Sequence, residues 1–401
     1  RFNDGTGTFN TGAKVLVHGN PRTVVPADVD DDGDMDLLTS NSLTNQAAYV
    51  SVRLNNGLGQ FLHGADHQVG QLLGTPARKA TSVAVADLDA DGSLDFVTTN
   101  TNGTVSVRFN QGQGAFGGSS DYPVGLNPSL VTTGDVDGDG DLDLLVTDTG
   151  TPAAPGQTVI ILLNSGSGAF PSTYTVSVAG NPNHIATGDL DADGDLDLLT
   201  AHPLDHKVCI RFNDGAGGFT SPLDVLIPSS HRTDQPHTVA TADLDGDGDL
   251  DFYTANHRSV AIGLNDGSGY FTVTPIIAGT WGAACATAAD LDGDHDLDLL
   301  FPDGIAAASS ISIYLNRPVP PLGVGGAILP ALSLNPNPAR HYVRVLGAPA
   351  RDIYLLNALG QVIRTCSLLP ASPEATLDLT GIAPGVYFVR CGPDTRRLAV
   401  E

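Results

Sequence analysis

The chain has 401 residues and a formal net charge of −26, with 45 acidic residues against 19 basic ones. All but two of the acidic residues are Asp, and 47 Gly and 26 Pro accompany them. Because Asp favours turns whereas Glu suits helix surfaces, this composition excludes a mainly helical protein and favours strands joined by tight turns. The negative charge argues against nucleic acid or anionic lipid as a partner and favours cations. The sequence has no apolar run long enough for a transmembrane helix.

The chain begins with R-F-N-D-G-T-G-T-F at residues 1–9, which predicts a strand end, a tight turn and a further strand through residue 18. Related segments follow at residues 53, 108, 162, 211 and 263. Their Asn-Gly and Asp-Gly pairs supply the positive φ that a tight hairpin needs. Since the first copy has no strands before it, we interpret residues 1–18 as part of an earlier repeat, in an array truncated at its N-terminus.

Nine-residue acidic segments begin at residues 28, 87, 135, 189, 243 and 290 and stay in phase with the hairpins. Each repeat reads as four short strands; in the fourth repeat they cover 184–189, 196–201, 207–213 and 219–227. Such a repeat of about fifty residues predicts an all-β fold, a β-propeller of four-stranded blades over residues 1–316. Six acidic segments define six blades. The incomplete first and last repeats could pair to close a six-bladed ring, or belong to a seven-bladed one.

Each acidic segment carries carboxylates at positions 1, 3, 5 and 9, and five of the six have Gly at position 6. Ca²⁺ takes six to eight oxygen ligands, and Gly allows the sharp turn that aims alternate side chains at one centre. We therefore predict up to six calcium sites with a mainly structural role. In the sixth, His295 replaces the Gly. The predicted ligands are Asp28, Asp30, Asp32 and Asp36; Asp87, Asp89, Asp91 and Asp95; Asp135, Asp137, Asp139 and Asp143; Asp189, Asp191, Asp193 and Asp197; Asp243, Asp245, Asp247 and Asp251; and Asp290, Asp292, Asp294 and Asp298.

The D-x-D-x-D-G-x-x-D loop and the N-x-G-x-G-x-F hairpin resemble the FG-GAP/VCBS repeats of integrin-α-like β-propellers over residues 1–316. The resemblance implies calcium loops between the first two strands of each blade, in a seven-bladed ring. It also implies adhesion or carbohydrate binding, so we expect an adhesion or ligand-binding module. The alternatives are a lectin-like propeller and the non-catalytic part of an extracellular polysaccharide-degrading enzyme. Because no nucleophile motif appears and most carboxylates belong to the loops, we expect no enzyme activity.

Polar side chains occur where the chain leads into each innermost strand, near the axial channel that a propeller would have. The predicted partner of this ligand rim is an extracellular glycan or a surface protein. A single Trp and 6% aromatic residues argue against the lectin alternative. The rim consists of Arg22, Arg78, His184, His237 and Trp281.

A Pro/Gly linker over residues 317–330 leads to a tail, residues 331–401, whose alternating segments predict a small Ig-like β-sandwich. Asn-Pro-Asn-Pro at 335–338, the turn at 357–360, Gly-Val-Tyr at 385–387 and the basic last strand resemble the C-terminal sorting domain of type IX secretion substrates in Bacteroidota. An ordinary Ig-like module is the alternative. The resemblance implies export by the type IX machinery to the extracellular medium or the outer-membrane surface. Cys366 and Cys391 could be bonded or free, and Cys209 and Cys285 read as core residues.

Overall fold

The computed structural model of the chain contains two compact units, Arg1–Arg317 and Pro318–Glu401. Every regular element in the described part is a β-strand, and no helix there is long and apolar enough to cross a membrane. The structure describes residues 2–3, 9–11, 14–42, 47–70, 79–151, 153–219, 221–228, 235–256, 259–276, 285–291, 294–305, 308–316, 333–335, 338–346, 353–357, 361–366, 374–391 and 394–400.

The first unit consists of six antiparallel sheets that each carry one acidic segment, and of a separate two-stranded sheet. We number the sheets blade 1 to blade 6 and their acidic segments loop 1 (28–36), loop 2 (87–95), loop 3 (135–143), loop 4 (189–197), loop 5 (243–251) and loop 6 (290–298). The separate sheet pairs β1 (Phe2–Asn3) with β2 (Phe9–Thr11). The blades are formed by β3 (Asn20–Ala27), β4 (Asp36–Ser42), β5 (Ala48–Asn55), β6 (Phe61–His63) and β7 (Asp66–Val69); β8 (Ala80–Ala86), β9 (Asp95–Asn100), β10 (Thr104–Asn110) and β11 (Phe116–Pro123); β12 (Pro128–Gly134), β13 (Asp143–Thr151), β14 (Ala154–Leu163) and β15 (Ser172–Ser177); β16 (His184–Gly188), β17 (Asp197–His202), β18 (Lys207–Phe212) and β19 (Ser221–Leu226); β20 (Pro236–Ala242), β21 (Asp251–Asn256), β22 (Val260–Asn265) and β23 (Phe271–Ile276); and β24 (Thr287–Ala289), β25 (Asp298–Ile305) and β26 (Ala308–Tyr314).

The predicted four-stranded repeat is confirmed in blades 2 to 5, where the strands pair in chain order. Blade 1 divides its outer strand into β6 and β7, which both pair with β5, and blade 6 has three strands among the described residues. Each acidic loop joins the first and second strands of its blade. The second strands of blades 2, 4 and 5 are buried throughout because neighbouring blades cover both of their faces.

The hydrophobic core lies between the blades. Five apolar clusters each combine residues of two successive blades; one contains Val97 and Val107 of blade 2 with Leu144 and Leu162 of blade 3. The inner strands β3, β8, β12, β16 and β20 also contact one another in that order. In loops 1 to 5 the residue at position 2 is part of these clusters, so each of these loops is anchored in the interface with the next blade. These residues are Val29, Leu88, Val136, Leu190 and Leu244.

The second unit is the predicted β-sandwich. Its three-stranded sheet has the order β27-β28-β31, and its four-stranded sheet has the order β30-β29-β32-β33. One apolar cluster contains Val343 and Leu377 of the first sheet and Ile353, Val389 and Leu398 of the second. The strands are β27 (Ser333–Asn335), β28 (Tyr342–Leu346), β29 (Ile353–Leu356), β30 (Val362–Cys366), β31 (Glu374–Asp378), β32 (Gly385–Cys391) and β33 (Asp394–Val400).

The strand register bears on the cysteines of the tail. Cys366 and Cys391 both pair with Ile353, from opposite sides of β29. Two strand spacings amount to about 9.5 Å between the two Cα atoms. The side chains of both cysteines lie outside the described ones, so their bonding stays an open prediction. In the first unit Cys209 is buried as expected, whereas the interpretation of Cys285 as a core residue is wrong, because Cys285 is exposed just before β24.

Candidate metal centre

Each of loops 1 to 5 brings three carboxylates together. In every cluster one oxygen of each side chain lies within 4.8 Å of the others. Ions with Ca–O distances of about 2.3 to 2.6 Å bring their oxygen ligands to such separations. Loop 1 uses positions 1, 3 and 5, and loops 2 to 5 use positions 1, 3 and 9. The clusters are Asp28, Asp30 and Asp32; Asp87, Asp89 and Asp95; Asp135, Asp137 and Asp143; Asp189, Asp191 and Asp197; and Asp243, Asp245 and Asp251.

Loop 3 shows how the backbone forms the turn. Asp135 at position 1 accepts hydrogen bonds from the backbone N–H groups of Gly138 at 2.8 Å and Gly140 at 3.0 Å. Asp139 at position 5 accepts one from the N–H of Asp141 at 2.9 Å. Gly140 has a φ of 92°, in the region that Gly adopts without strain. The same bonds to positions 1 and 5 recur in the other loops, so carboxylates shape the turn as well as facing its centre.

The position-3 carboxylate has one oxygen that the fold leaves without a partner in four successive loops. In each of loops 1 to 4 its Oδ1 atom is buried and accepts no hydrogen bond, and burial together with neighbouring carboxylates raises its pKa. Buried polar atoms are nearly always paired, so an unpaired carboxylate oxygen that faces two others is a group that could hold a cation. The four side chains are Asp30, Asp89, Asp137 and Asp191.

The position-9 carboxylate holds the loop to its own blade. Asp143 is fully buried, and its two oxygens accept hydrogen bonds from the N–H groups of Val136 at 3.1 Å and Asn164 at 2.8 Å. The same pair of bonds occurs in all six blades. Burial raises the pKa of this carboxyl to about 6 in loops 2, 3 and 4. Each oxygen keeps one lone pair that could bind a cation. Position 9 therefore holds the loop backbone in addition to its predicted role as a metal ligand.

Loop 6 has the same backbone bonds with His295 in place of Gly. The N–H of His295 donates to Asp290 at 3.2 Å, and Asp298 accepts from Leu291 at 2.9 Å. His295 adopts the expected positive φ, at 75°. A Cβ atom at position 6 would meet nothing within 4 Å in the other loops, so the side chain fits there and points to solvent. The predicted ligand Asp292 lies outside the described residues.

In blades 2 to 5 the Asn of the N-x-G-x-G-x-F hairpin connects two blades, a role that the sequence analysis missed. The Nδ2 atom of Asn213 in blade 4 donates to the carbonyl of Val136 in loop 3 at 2.8 Å and to that of Leu196 in loop 4 at 3.1 Å. The sequence offers one signal of this role, which is the recurrence of the Asn in all six hairpin segments. The equivalent bonds to the preceding loop run from Asn110 to Val29, Asn164 to Leu88, Asn265 to Leu190 and Asn316 to Leu244.

Replacing this Asn should weaken the contact between blades. Asn213→Ala leaves the buried carbonyl of Val136 and the partly buried carbonyl of Leu196 without this donor, and we expect it to lower the free energy of unfolding by about 2 to 3 kcal/mol in saturating calcium. Asn55→Ala is the matched control, because the Nδ2 atom of Asn55 donates to Met35 of its own loop at an exposed position; we expect a loss of about 1 kcal/mol. Urea unfolding of both variants checks the difference, and equal losses would contradict the inter-blade role.

The predicted ligand rim is only partly described. Arg22 is exposed on β3 of blade 1. His184 begins β16, and its Nδ1 atom is buried without a hydrogen-bond partner; burial lowers the pKa of its ring. The carbonyl of His237, on the adjacent blade, accepts a hydrogen bond from Asn183 at 2.8 Å. Arg78 and Trp281 lie outside the described residues, so the rim stays a prediction.

Comparisons with known proteins agree with this architecture. A model of the FG-GAP-like repeat matches residues 87–146, 151–200, 190–254 and 243–301. A model of the secretion system C-terminal sorting domain matches residues 333–399. No curated protein matches the chain.

Several solved structures are similar in fold. A protein from Lactobacillus plantarum is 14% identical, with a TM-score of 0.52, over 94% of this chain and 93% of the other. The periplasmic gluconolactonase PpgL of Pseudomonas aeruginosa is 13% identical, with a TM-score of 0.53, over 100% and 94%. An Agrocybe aegerita lectin that recognises non-reducing terminal N-acetylglucosamine is 22% identical, with a TM-score of 0.48, over 70% and 74%. At these identities the first two likenesses show the propeller fold alone.

The repeat model covers more than half of the chain, and the tail matches the sorting-domain model over nearly its whole length. The sorting domain is of the type IX kind and indicates a secreted protein of the cell surface or the extracellular medium. The chain therefore belongs to the FG-GAP-like repeat family.

Proposed function

We propose that the acidic loops bind Ca²⁺ and that the propeller is a calcium-stabilised adhesion or ligand-binding module at the cell surface. The observation that carries the calcium proposal is the buried, unpaired Oδ1 atom of the position-3 Asp in four successive loops. The donors in each cluster are all carboxylate oxygens, which suit a hard cation. Mg²⁺ is disfavoured because it seldom uses a cage built by protein alone.

The ion has a mainly structural role in this proposal. Each of loops 1 to 5 carries its carboxylates on one side and inserts its position-2 side chain between two blades on the other. A cation would neutralise repulsion between carboxylates within 4.8 Å of one another, which costs about 1 to 4 kcal/mol per pair depending on the surrounding solvent. Binding an ion therefore supports the loop conformation from which the inter-blade contacts are made.

We propose binding rather than catalysis as the function of the module. Most of the carboxylates in the described part of the module hold loop backbone or face the cation sites, and we find no separate pair among those residues with the roles that glycoside hydrolysis requires. The partner is an extracellular glycan or a surface protein, and the type IX machinery is the partner of the C-terminal domain.

Calorimetric titration of the calcium-depleted protein with CaCl₂ tests the proposal. We expect at least five ions per chain, one for each described cluster, and little heat from MgCl₂ at the same concentration. A chain that binds no calcium, or that takes up Mg²⁺ equally well, would refute the assignment.

A further inference from the structure

A cavity of about 550 Å³ lies between the outermost strands of blades 3 and 4. One wall is the edge of β15, the last strand of its sheet, and the opposite wall is the hairpin of blade 4 with Pro222 of β19. Tyr174 and Phe219 contribute aromatic surface. Arg211 of β18 also lines the cavity, although only 8% of its surface is exposed. A buried guanidinium group therefore meets a space of the size that ligand sites have.

The Nη2 group of Arg211 has no hydrogen-bond partner in the described part of the chain. Its Nε atom donates to the carbonyl of Ser177 at 2.9 Å, and its Nη1 atom donates to the carbonyl of Ile210 at 2.7 Å and to Asp224 at 3.1 Å. A guanidinium group has five N–H donors, so the two on Nη2 are left over. Because Arg211 lines the cavity, these two donors are available to a ligand there.

Lys207 accounts for the unused donors. Its Nζ atom donates to the second oxygen of Asp224 at 2.8 Å, so one carboxylate serves two cations. In blade 1 a tyrosine occupies the position equivalent to Lys207, and there the Nη2 group of Arg53 donates to Asp66 at 2.8 Å. In blade 2 the equivalent group donates to a carbonyl of the preceding blade. The lysine of blade 4 therefore keeps the aspartate away from half of the guanidinium group.

The edge of β15 offers backbone groups to the same cavity. The N–H of Val178 donates to the carbonyl of Gln157 in β14 at 2.9 Å, so the backbone of Val178 faces β14. Backbone groups alternate in an antiparallel ladder, so those of Ser177 and Thr175 face away from β14. The carbonyl of Ser177 is bonded to Arg211, as this alternation requires. Thr175, which lines the cavity, therefore presents an N–H and a C=O beside the guanidinium group.

We propose that this cavity binds an uncharged, extended peptide segment of a partner protein, which adds as a strand to the edge of β15 and places a carbonyl oxygen on Arg211. This inference deepens the proposed ligand-binding function, because it names a ligand class, and it does not use the cation sites. An extended backbone presents N–H and C=O groups in alternation, which match Thr175 and the donors of Arg211.

The surroundings of the cavity favour an uncharged segment with apolar side chains. The charge of Arg211 is already balanced in part by Asp224, and the chain has a net charge of −26, which repels an acidic ligand. Tyr174, Phe219 and Pro222 gain free energy when an apolar side chain covers them. Since side chains alternate along a strand, we expect every second residue of the bound segment to be apolar.

Two peptides test the site, acetyl-Ser-Val-Thr-Val-Ser-amide and an analogue in which two adjacent backbone N–H groups are methylated. Both are titrated into the full chain in CaCl₂, and binding is followed by the NMR signals of the peptide. Methylation leaves the side chains unchanged but prevents strand pairing. We expect the unmodified peptide to bind at least about tenfold more tightly than the analogue.

Lys207→Met is the most specific variant, because Lys207 does not line the cavity. Without the lysine, Asp224 is free to take the Nη2 group of Arg211, as Asp66 does in blade 1, and peptide affinity should fall about tenfold. Lys14→Met is the matched control: it removes an exposed lysine elsewhere, and affinity should stay within about twofold. Thr175→Pro removes an N–H that the sheet does not use and should abolish binding.

The outcomes separate this proposal from the calcium proposal. If the wild type binds calcium but neither peptide, or both peptides equally, only the peptide site is refuted. If it binds no calcium but distinguishes the two peptides as expected, the calcium proposal fails and the peptide site stands. Unchanged affinity in Lys207→Met would refute the role of Arg211 and with it the site, even if Thr175→Pro does not fold. Binding of a neutral disaccharide such as cellobiose, without binding of the peptide, would also overturn the proposal.

Discussion

Chelation of calcium with EGTA is expected to lower the melting temperature of the protein by roughly 20 °C or more. A site filled at a hundredfold excess over its Kd adds about 2.7 kcal/mol, so the five described clusters together add about 13 kcal/mol. For a unit of this size, one kcal/mol corresponds to a shift of about 2 °C. Differential scanning calorimetry in CaCl₂, in EGTA, and in EGTA with MgCl₂ measures the effect. An unchanged melting curve in excess EGTA would contradict the calcium assignment.

A substitution at position 3 gives a more specific test, because its effect on the melting temperature should be opposite in EGTA and in calcium. In EGTA, Asp137→Asn removes a buried charge that has no partner on Oδ1 and lies beside two carboxylates, so it should melt at or above the wild type. In calcium the same variant loses a ligand and should melt below the wild type, giving up about one fifth of the calcium-dependent increment. A variant that destabilises equally in both conditions would show a purely structural side chain.

Removing a position-9 carboxylate should be the most damaging single substitution in a loop. Asp143→Ala leaves the buried N–H groups of Val136 and Asn164 without acceptors and removes an oxygen from the cluster. We expect a loss of about 4 kcal/mol in saturating calcium, and about half of that for Asp143→Asn, which keeps one acceptor oxygen.

The control for Asp143 lies two residues away in the same loop. Asp141 at position 7 carries the same charge but belongs to no cluster, and Asp141→Asn should change the free energy of unfolding by no more than about 0.5 kcal/mol. Chemical unfolding with calcium held constant compares the two positions. Equal losses at both would mean that net charge, and not the hydrogen bonds of Asp143, decides the stability of the loop.

Local chemistry made much of the fold predictable from the sequence. Four-stranded blades, tight hairpins, acidic loops between the first two strands and a sandwich in the tail all follow from alternation, turn residues and repetition. The positive φ of His295 was expected because Gly holds that position in the five other loops.

Contacts between repeats could not be read from the sequence in the same way. The bond from Asn213 to Val136 spans 77 residues, and nothing in either segment alone indicates it. The same is true of Arg108, which pairs with Asp121 at 3.3 Å and donates to the carbonyl of Gln68 in the preceding blade at 3.1 Å. The half-burial of the position-3 Asp in loops 1 to 4 likewise depends on the hairpin of the following blade, which lies above each of these loops.

The order of these contacts gives the propeller a direction. Each hairpin reaches back to the preceding loop, so an ion in one loop supports the interface with the blade that follows. The interfaces between successive blades therefore act as linked units with nearest-neighbour coupling, as in repeat proteins. Loss of the ion from one loop should weaken the contact between two blades before it affects the other blades. We expect progressive calcium depletion to loosen the array first at blades 5 and 6, because Asp245 at position 3 of loop 5 is exposed, whereas the position-3 side chains of loops 1 to 4 are half-buried.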